Sequence, residues 1–180
     1  MNELVLRYFY NLTAASAGLQ FFVEVVNNYL VWLVIAIVVI SFARVMRERP
    51  AAARELGFVA VATLGAWFVS QLVKWLWPVA RPFIALPDIT PFLSPSSAGS
   101  FPSGHATFFF ALALSVHVVN PKLGRWLTLA AAVVSVTRVM AGIHWPLDIL
   151  GGLVLAIIAV SLTKVAFNLS QSELGPRSSI

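Results

Sequence analysis

Five short elements of this chain carry side chains suited to chemistry. Lys74 is followed, after six residues, by Arg81-Pro82. Pro102-Ser103-Gly104-His105 comes next; then Arg138 stands five residues before His144, with three more before Asp148. Lys74, Arg81 and Arg138 supply three positive charges against one negative from Asp148, an excess that calls for an anion such as a phosphate monoester or the end of a diphosphate. Arginine presents forked planar donors to phosphate oxygens, and lysine acts as a point charge. A Pro-Ser-Gly-His turn opening a helix adds unpaired backbone N–H groups and the positive end of the helix dipole. Gly104 lets the backbone approach closely, and Ser103 can cap the helix or donate to a phosphate oxygen.

The histidines supply the reactive atoms. His144 and Asp148 are four apart, so a helix that reaches back to His144 places them on one face within hydrogen-bonding reach. A carboxylate on one imidazole nitrogen fixes the tautomer and leaves the other nitrogen nucleophilic. His105, from a different helix, can protonate a leaving oxygen and then activate water. A structural cap or half of a metal site would use the same His/Asp spacing. Three nearby cations would repel a divalent ion, however, and Asp88, the one other acid in the neighbourhood, reads as a loop-turn residue. The chemistry calls for no metal and no cofactor. His117 falls far along its helix from this layer and reads as a packing or cytoplasmic-end residue.

These groups must be held in an unusual chain. Of its 180 residues, 59% are apolar and 11% charged, and there is no cysteine; soluble domains carry about 25% charged residues. That excludes a disordered tail, a water-soluble globule and disulfide or thiolate chemistry. The net charge of +5 is spread between apolar runs, so no basic face for nucleic acid results. The partners expected are the lipid bilayer and an anionic lipid; the oligomeric state is left open.

A spanning helix needs about 20 mostly apolar residues. Five segments qualify: Phe21 to Ala43, Leu56 to Trp77, Pro102 to Val119, Trp126 to Gly142 and Leu147 to Phe167. Residues 1–20, with Arg7, Asn11, Thr13, Ser16 and Gln20, read as an interfacial or re-entrant helix, with a sixth span as the alternative. The expected fold is therefore an all-α polytopic membrane bundle forming one domain over 1–180. Arg44, Arg47, Arg49, Arg54, Lys122, Arg125, Lys164 and Arg177 mark the cytoplasmic side by the positive-inside rule. Lys74, Arg81 and Arg138 then fall with both histidines on the opposite side, where ionisable groups at the ends of spans mark a site. Trp75, Trp77, Trp126 and Trp145 read as interfacial anchors. The 24 residues from Pro78 to Phe101 contain five prolines and form a lid-like loop longer than helix connections usually are, with a flexible tip at 94–100.

In order and spacing, Lys74…Arg81-Pro82, Pro102-Ser103-Gly104-His105 and Arg138…His144…Asp148 resemble the three-part signature of the type 2 phosphatidic acid phosphatases. One departure is Thr137, where that family usually has Ser; the hydroxyl is kept, and a small effect is expected. The resemblance implies metal-independent hydrolysis of a phosphomonoester or diphosphate in two steps. His144 would form a phosphohistidine, Asp148 would orient it, and His105 would serve the leaving group and then water. Lys74, Arg81, Ser103, Gly104 and Arg138 would hold the phosphate oxygens. The short chain and the Arg-Pro-Phe-Ile-Ala-Leu-Pro run after Lys74 are similar to bacterial undecaprenyl-diphosphate phosphatases, which implies recycling of a cell-wall lipid carrier on the outer face of the cytoplasmic membrane. Phosphatidic acid, phosphatidylglycerophosphate and lipid A phosphatases would use the same residues.

Two readings of other classes compete. A transporter of anionic solutes or lipids could use the same polar layer, but transport sites lie near the midplane between broken helices, whereas these groups gather at one end. A purely structural subunit has no need of two histidines beside three cations.

Overall fold

The computed structural model describes residues 1–49, 52–94 and 99–173, with side chains through residue 168. Of the loop tip expected at 94–100, residues 95–98 lie outside the described part, as does Arg177. Every regular element among the described residues is helical. The order is α1 (Asn2–Ala14), α2 (Ala17–Val25), a π-helical turn (Val26–Leu30), α3 (Val31–Glu48), α4 (Ala53–Leu76), α5 (Pro82–Ala85), α6 (Gly104–Val119), α7 (Pro121–Met140) and α8 (Pro146–Glu173).

Four helical stretches are long and apolar enough to cross a membrane: Ala17–Glu48, which joins α2, the π turn and α3, then α4, α7 and α8 through Asn168. The remaining expected span, Pro102 to Val119, is shorter than its sequence suggests. Pro102 and Ser103 stay outside it, Ser103 caps its start and Asn120 ends it, leaving 16 residues in α6. At 1.5 Å per residue that is about 24 Å, short of the roughly 30 Å hydrocarbon core. Its position makes this tolerable. A helix apolar all round is a buried one, and α6 is the centre of the bundle, packed by α4, α7 and α8, with Ala106, Ala111, Ala113 and Val116 wholly covered. The outer helices show large apolar side chains outward instead, among them Trp32, Phe68 and Leu162. In a bilayer that surface faces lipid.

The N-terminal segment divides differently from expectation. The short helix ends at Ala14, Ser16 caps α2 by accepting from Leu19 N at 3.3 Å, and residues 17–20 belong to the first long helix. The Ser16 cap is a signal the sequence carries. At 13 residues α1 spans about 20 Å, too short to cross. It lies on α2, α7 and α8 with Leu6, Tyr10 and Thr13 buried.

Two glycines settle how the site end closes. Gly142 has φ +72°, a left-handed conformation that lets the chain leave α7 in a tight turn. A Cβ on Gly152 would lie 3.0 Å from Ser103 O and Thr107 N, so only glycine lets α8 press on the first turn of α6. That contact is completed by Ser103 N donating to Asp148 O at 3.0 Å.

Candidate active site

Four helix ends meet at the face of the bundle opposite the Arg44, Arg47, Arg54, Lys122 and Lys164 end. α4 brings Lys74 in its last turn, α6 brings Gly104 and His105 in its first, and α7 brings Arg138 in its last. His144 comes from the turn before α8, and Arg81 from the loop that follows α4. Lys74, Arg81, Gly104, His105, Arg138 and His144 all line one cavity of about 500 Å³.

His144 is more precisely held than helical spacing alone would provide. α8 begins at Pro146, one residue before the expected start of the span, and His144 stays outside it; a proline favours the first helical position and leaves its predecessors outside. Asp148 in the first turn reaches backward instead. Its Oδ2 accepts from Trp145 N at 2.8 Å, the reciprocal half of a capping box, and lies 3.1 Å from His144 Nδ1. Ser100 Oγ donates to the same oxygen. The carboxylate is thus satisfied by three donors from three directions. On the far side of the ring, Arg81 NH1 is 3.4 Å from His144 Nε2 and donates to Ile143 O at 2.8 Å. A guanidinium has no acceptor, so Nε2 carries the lone pair and Nδ1 the proton. This tautomer puts the lone pair on Nε2, the nitrogen that faces Arg81 across a long contact.

Burial governs the charge of this group. His144 is 3% exposed, and removal from water, reinforced by Arg81 and Lys74 against the opposing Asp148, pushes its pKa down to about 4. The imidazole is therefore neutral at physiological pH. Burial likewise lowers the Arg81 guanidinium from its ordinary value, with Asp148 opposing.

The remaining groups have the chemistry to cradle an anion. At the start of α6, Ser103 N is used by Asp148 O, Ala106 N by Ser103 Oγ and Thr107 N by Ser103 O. The N–H groups of Gly104 and His105 remain, on residues that line the cavity. Ser103 does not line it: its hydroxyl is buried and spent on the cap. Arg138 is 8% exposed and its Nε is buried without a hydrogen-bond partner. Neither Lys74 nor Arg138 joins an ion pair among the described residues, and Asp148 is already engaged. The charges of Lys74 and Arg138 are left facing the cavity. No three His, Asp or Glu side chains among the described residues come together as a metal ligand set.

Other residues behave differently from their sequence reading. Asp88 does lie in a turn, but it also pairs with Arg7 of α1. That guanidinium holds its carboxyl below the usual range. Tyr10 OH donates to Thr90 O and accepts from Thr90 N, both at 3.0 Å, and Phe92 N donates to Ala141 O at 3.1 Å. The described part of the 78–101 loop is thus tied down. Trp145 is more than an anchor: its Nε1 donates to Ala80 O at 2.9 Å. Trp75, Trp77 and Trp126 are exposed. His117 is exposed in the last turn of α6, at the far end of the bundle. Thr137 donates to Val134 O at 2.8 Å and accepts from Asn27 at 3.1 Å. Its hydroxyl is internal, not part of the cradle.

Sequence reading missed Ser100, Gln71 and Asn27. Ser100 contacts a residue 48 positions away and leaves no local trace. Gln71 lines the cavity, and its position one turn before Lys74 on the same helix could have been read.

The fold is shared with a solved structure: the crystal structure of Aquifex aeolicus LpxE superposes with TM-score 0.72 and 23% identity, covering 90% of this chain and 93% of that one. By sequence, the chain is 38% identical to YbjG of Escherichia coli over 120 residues, 66% of this chain and 60% of that one. It is 30% identical to the undecaprenyl-diphosphatase of Sulfolobus acidocaldarius over 147 residues, 79% of this chain and 66% of that one. The chain thus spans less than two thirds of these relatives' own length. The family profile described as PAP2 superfamily matches residues 55–171, a stretch that takes in the cradle, both histidines and Asp148. With four helices long and apolar enough to cross a membrane and these residues gathered at one end of the bundle, this integral membrane protein belongs to the PAP2 superfamily.

Proposed function

We propose that the chain, as one domain over 1–180, is a metal-independent lipid phosphatase that removes the terminal phosphate of a membrane lipid phosphate or diphosphate. Undecaprenyl diphosphate is the substrate that fits best. The observation that carries this reading is the His144 ring. Asp148 accepts a hydrogen bond from its Nδ1 at 3.1 Å, and its Nε2 lies beside Arg81 in a cationic cavity.

The chemistry follows from that tautomer. The Nε2 lone pair attacks phosphorus, an N–P bond forms, and the bond from phosphorus to the leaving oxygen breaks. Nδ1 keeps its proton, and Asp148 stabilises the positive charge that develops on the ring. His105 gives a proton to the leaving oxygen. It then takes one from water, whose oxygen attacks the phosphohistidine and returns Nε2 with release of inorganic phosphate. Lys74, Arg81, Arg138 and the N–H groups of Gly104 and His105 stabilise the five-coordinate charge. Ser103 serves this site as the cap that orients those N–H groups.

The substrate class is supported by the apolar half of the cavity, formed by Val31, Ile35, Trp67 and Phe108, and by the name of the Sulfolobus acidocaldarius relative. The arginine-rich opposite end supports a cytoplasmic-membrane protein whose cavity opens on the extracytoplasmic side. The site lies at helix ends instead of the midplane, which favours hydrolysis over transport.

The test is release of inorganic phosphate from undecaprenyl diphosphate by the purified protein in detergent with excess EDTA. Turnover that survives EDTA, disappears in His144→Ala and is inhibited by vanadate supports the reading. A strict metal requirement, or full activity in His144→Ala, overturns it. Phosphatidic acid and lipid A run in parallel decide among lipid classes.

A further inference from the structure

The cavity lining changes with depth in a way that orders the atoms of a bound lipid. Lys74 lies in the last turn of α4, and Gln71 and Trp67 line the same cavity from the same helix. At 1.5 Å per residue, Gln71 lies about 4.5 Å and Trp67 about 10.5 Å further into the bundle than Lys74. From Trp67 inward the lining is apolar and continues through Ile35 and Phe108, which also border a second, wholly apolar groove with Val38 and Leu112. A lipid entering from the bilayer points its hydrocarbon inward. Its terminal phosphoryl group then meets the cations, its hydrocarbon meets Trp67 and beyond, and whatever joins them lies level with Gln71.

Gln71 is the one polar side chain that α4 contributes to the cavity between Lys74 and the apolar part. Its amide nitrogen donates to Ser70 Oγ at 3.1 Å, and Ser70 is fully buried and donates onward to Trp67 O at 2.6 Å. The same nitrogen lies 3.0 Å from the point that a Cβ on Gly104 would occupy, so it is held against the first turn of α6. A glutamine amide has two N–H donors and a carbonyl. One N–H is used on Ser70, and the other is available to a ligand.

We propose that Gln71 is a specificity-determining residue that binds the inner, non-scissile phosphate of a lipid diphosphate and so favours diphosphates over monophosphates of the same lipid. This rests on the phosphatase reading above. When the outer phosphoryl group passes to His144, the bond from outer phosphorus to the bridging oxygen breaks, and its electron pair stays on that oxygen. That oxygen stays with the inner phosphate, whose non-bridging oxygens lie one atom deeper, at the level of the Gln71 N–H; in a monophosphate the leaving oxygen is the ester oxygen itself. In a lipid monophosphate the same level holds a methylene group, to which an amide donor contributes nothing. A neutral donor suits this place, because a fourth cation would compete with the cradle for the terminal phosphate.

The experiment uses matched farnesyl diphosphate and farnesyl phosphate as substrates. Their non-hydrolysable methylenediphosphonate and phosphonate counterparts serve as competitive inhibitors, so that a slow substrate still yields a ratio. Gln71→Leu should lower kcat/KM for the diphosphate about 10- to 100-fold, the range of a hydrogen bond to a charged group, and change the monophosphate less than about 3-fold. Gln71→Asn, which keeps the amide but withdraws it by one methylene, should shift the ratio the same way and tests the idea if the leucine variant does not fold. Inhibition by inorganic phosphate, which needs only the cradle, should be unchanged. Parallel losses on both substrates, or an unchanged ratio in both variants, overturn the assignment. A wild-type protein inert towards every lipid phosphate refutes the phosphatase reading itself, a separate result.

Discussion

The Asn27 side-chain amide donates to Thr137 Oγ1 at 3.1 Å, joining residues 110 positions apart. Asn27 lies in the π-helical turn of the first long helix, where its Nδ2 also reaches Val23 O at 2.7 Å. Such turns are frequent at functional sites. Thr137 directly precedes Arg138 in the last turn of α7, so the contact fixes the backbone that carries one arm of the cradle. Asn27 lies outside the family match at 55–171. We expect Asn27→Ala and Thr137→Val each to cost about 0.5–1.5 kcal/mol of stability, and the double variant to cost little more than one alone. Thr137→Ser should be close to wild type. Unfolding in detergent checks the cycle, and additive losses would show that the two side chains act separately.

The tautomer and charge of His144 can be seen directly. With its pKa held near 4, ¹⁵N NMR of the histidine-labelled protein should show a neutral, Nδ1-protonated ring at pH 6, where an unperturbed histidine with pKa about 6.5 is mostly protonated. The imidazolium should appear only as the pH falls towards 4. An imidazolium signal at pH 6 would contradict the account of burial.

Asp148 should matter far more to rate than to fold. Asp148→Asn turns an acceptor towards Nδ1 into an amide that can force the other tautomer, and a loss on the order of 10³- to 10⁴-fold in kcat is expected by analogy with other His–carboxylate pairs. Ser100→Ala removes one of three donors to the same oxygen and should cost about 10-fold. Single-turnover kinetics, with trapping of the phosphorylated protein, separates the two. A greater loss from Ser100→Ala than from Asp148→Asn would make the serine, not the carboxylate, the group that governs the ring.

The Arg7–Asp88 pair ties α1 to the loop that also carries Thr90 and Phe92. Arg7 holds the Asp88 carboxyl below its ordinary range. A depressed carboxyl contributes stability that is present above its unfolded pKa of 3.8 and is lost as the pH falls through the lower folded value. Hydrogen exchange over residues 86–93 should therefore stay slow from neutral pH to below about 4 once the intrinsic exchange rate is corrected for. It should quicken in Asp88→Asn at neutral pH, and the swap Arg7→Asp with Asp88→Arg should restore part of the protection. Identical exchange in all three proteins would mean that Tyr10 alone holds the loop.

The sequence made some of this legible and concealed the rest for physical reasons. Runs of apolar side chains reveal helices because a bilayer demands about 20 of them in a row, which is why the four long stretches were readable. The cations and histidines were readable because their spacings put them at the ends of those runs. α6 is shorter than read because Ser103 caps its start and Asn120 ends it, local signs that the apolar run obscures; that so short a helix is tolerated, shielded by its companions, is a tertiary fact. The position of His144 before α8 was legible too, since the last apolar run starts only at Leu147 and Pro146 suits a first helical position. The contacts of Ser100, Asn27 and Arg7 join stretches far apart in the chain and obey no periodicity. They become visible only once the helices are assembled.

The brevity of α6 has one more consequence. The central helix is about 6 Å shorter than the apolar slab around it, so its two ends together lie that much inside the reach of its longer neighbours. On the proposed reading, a phospholipid or prenyl carrier drifting in the surrounding leaflet would reach its first turn sideways, without being hoisted into solvent against the pull of its own tail, and the water that completes hydrolysis would be what has to descend.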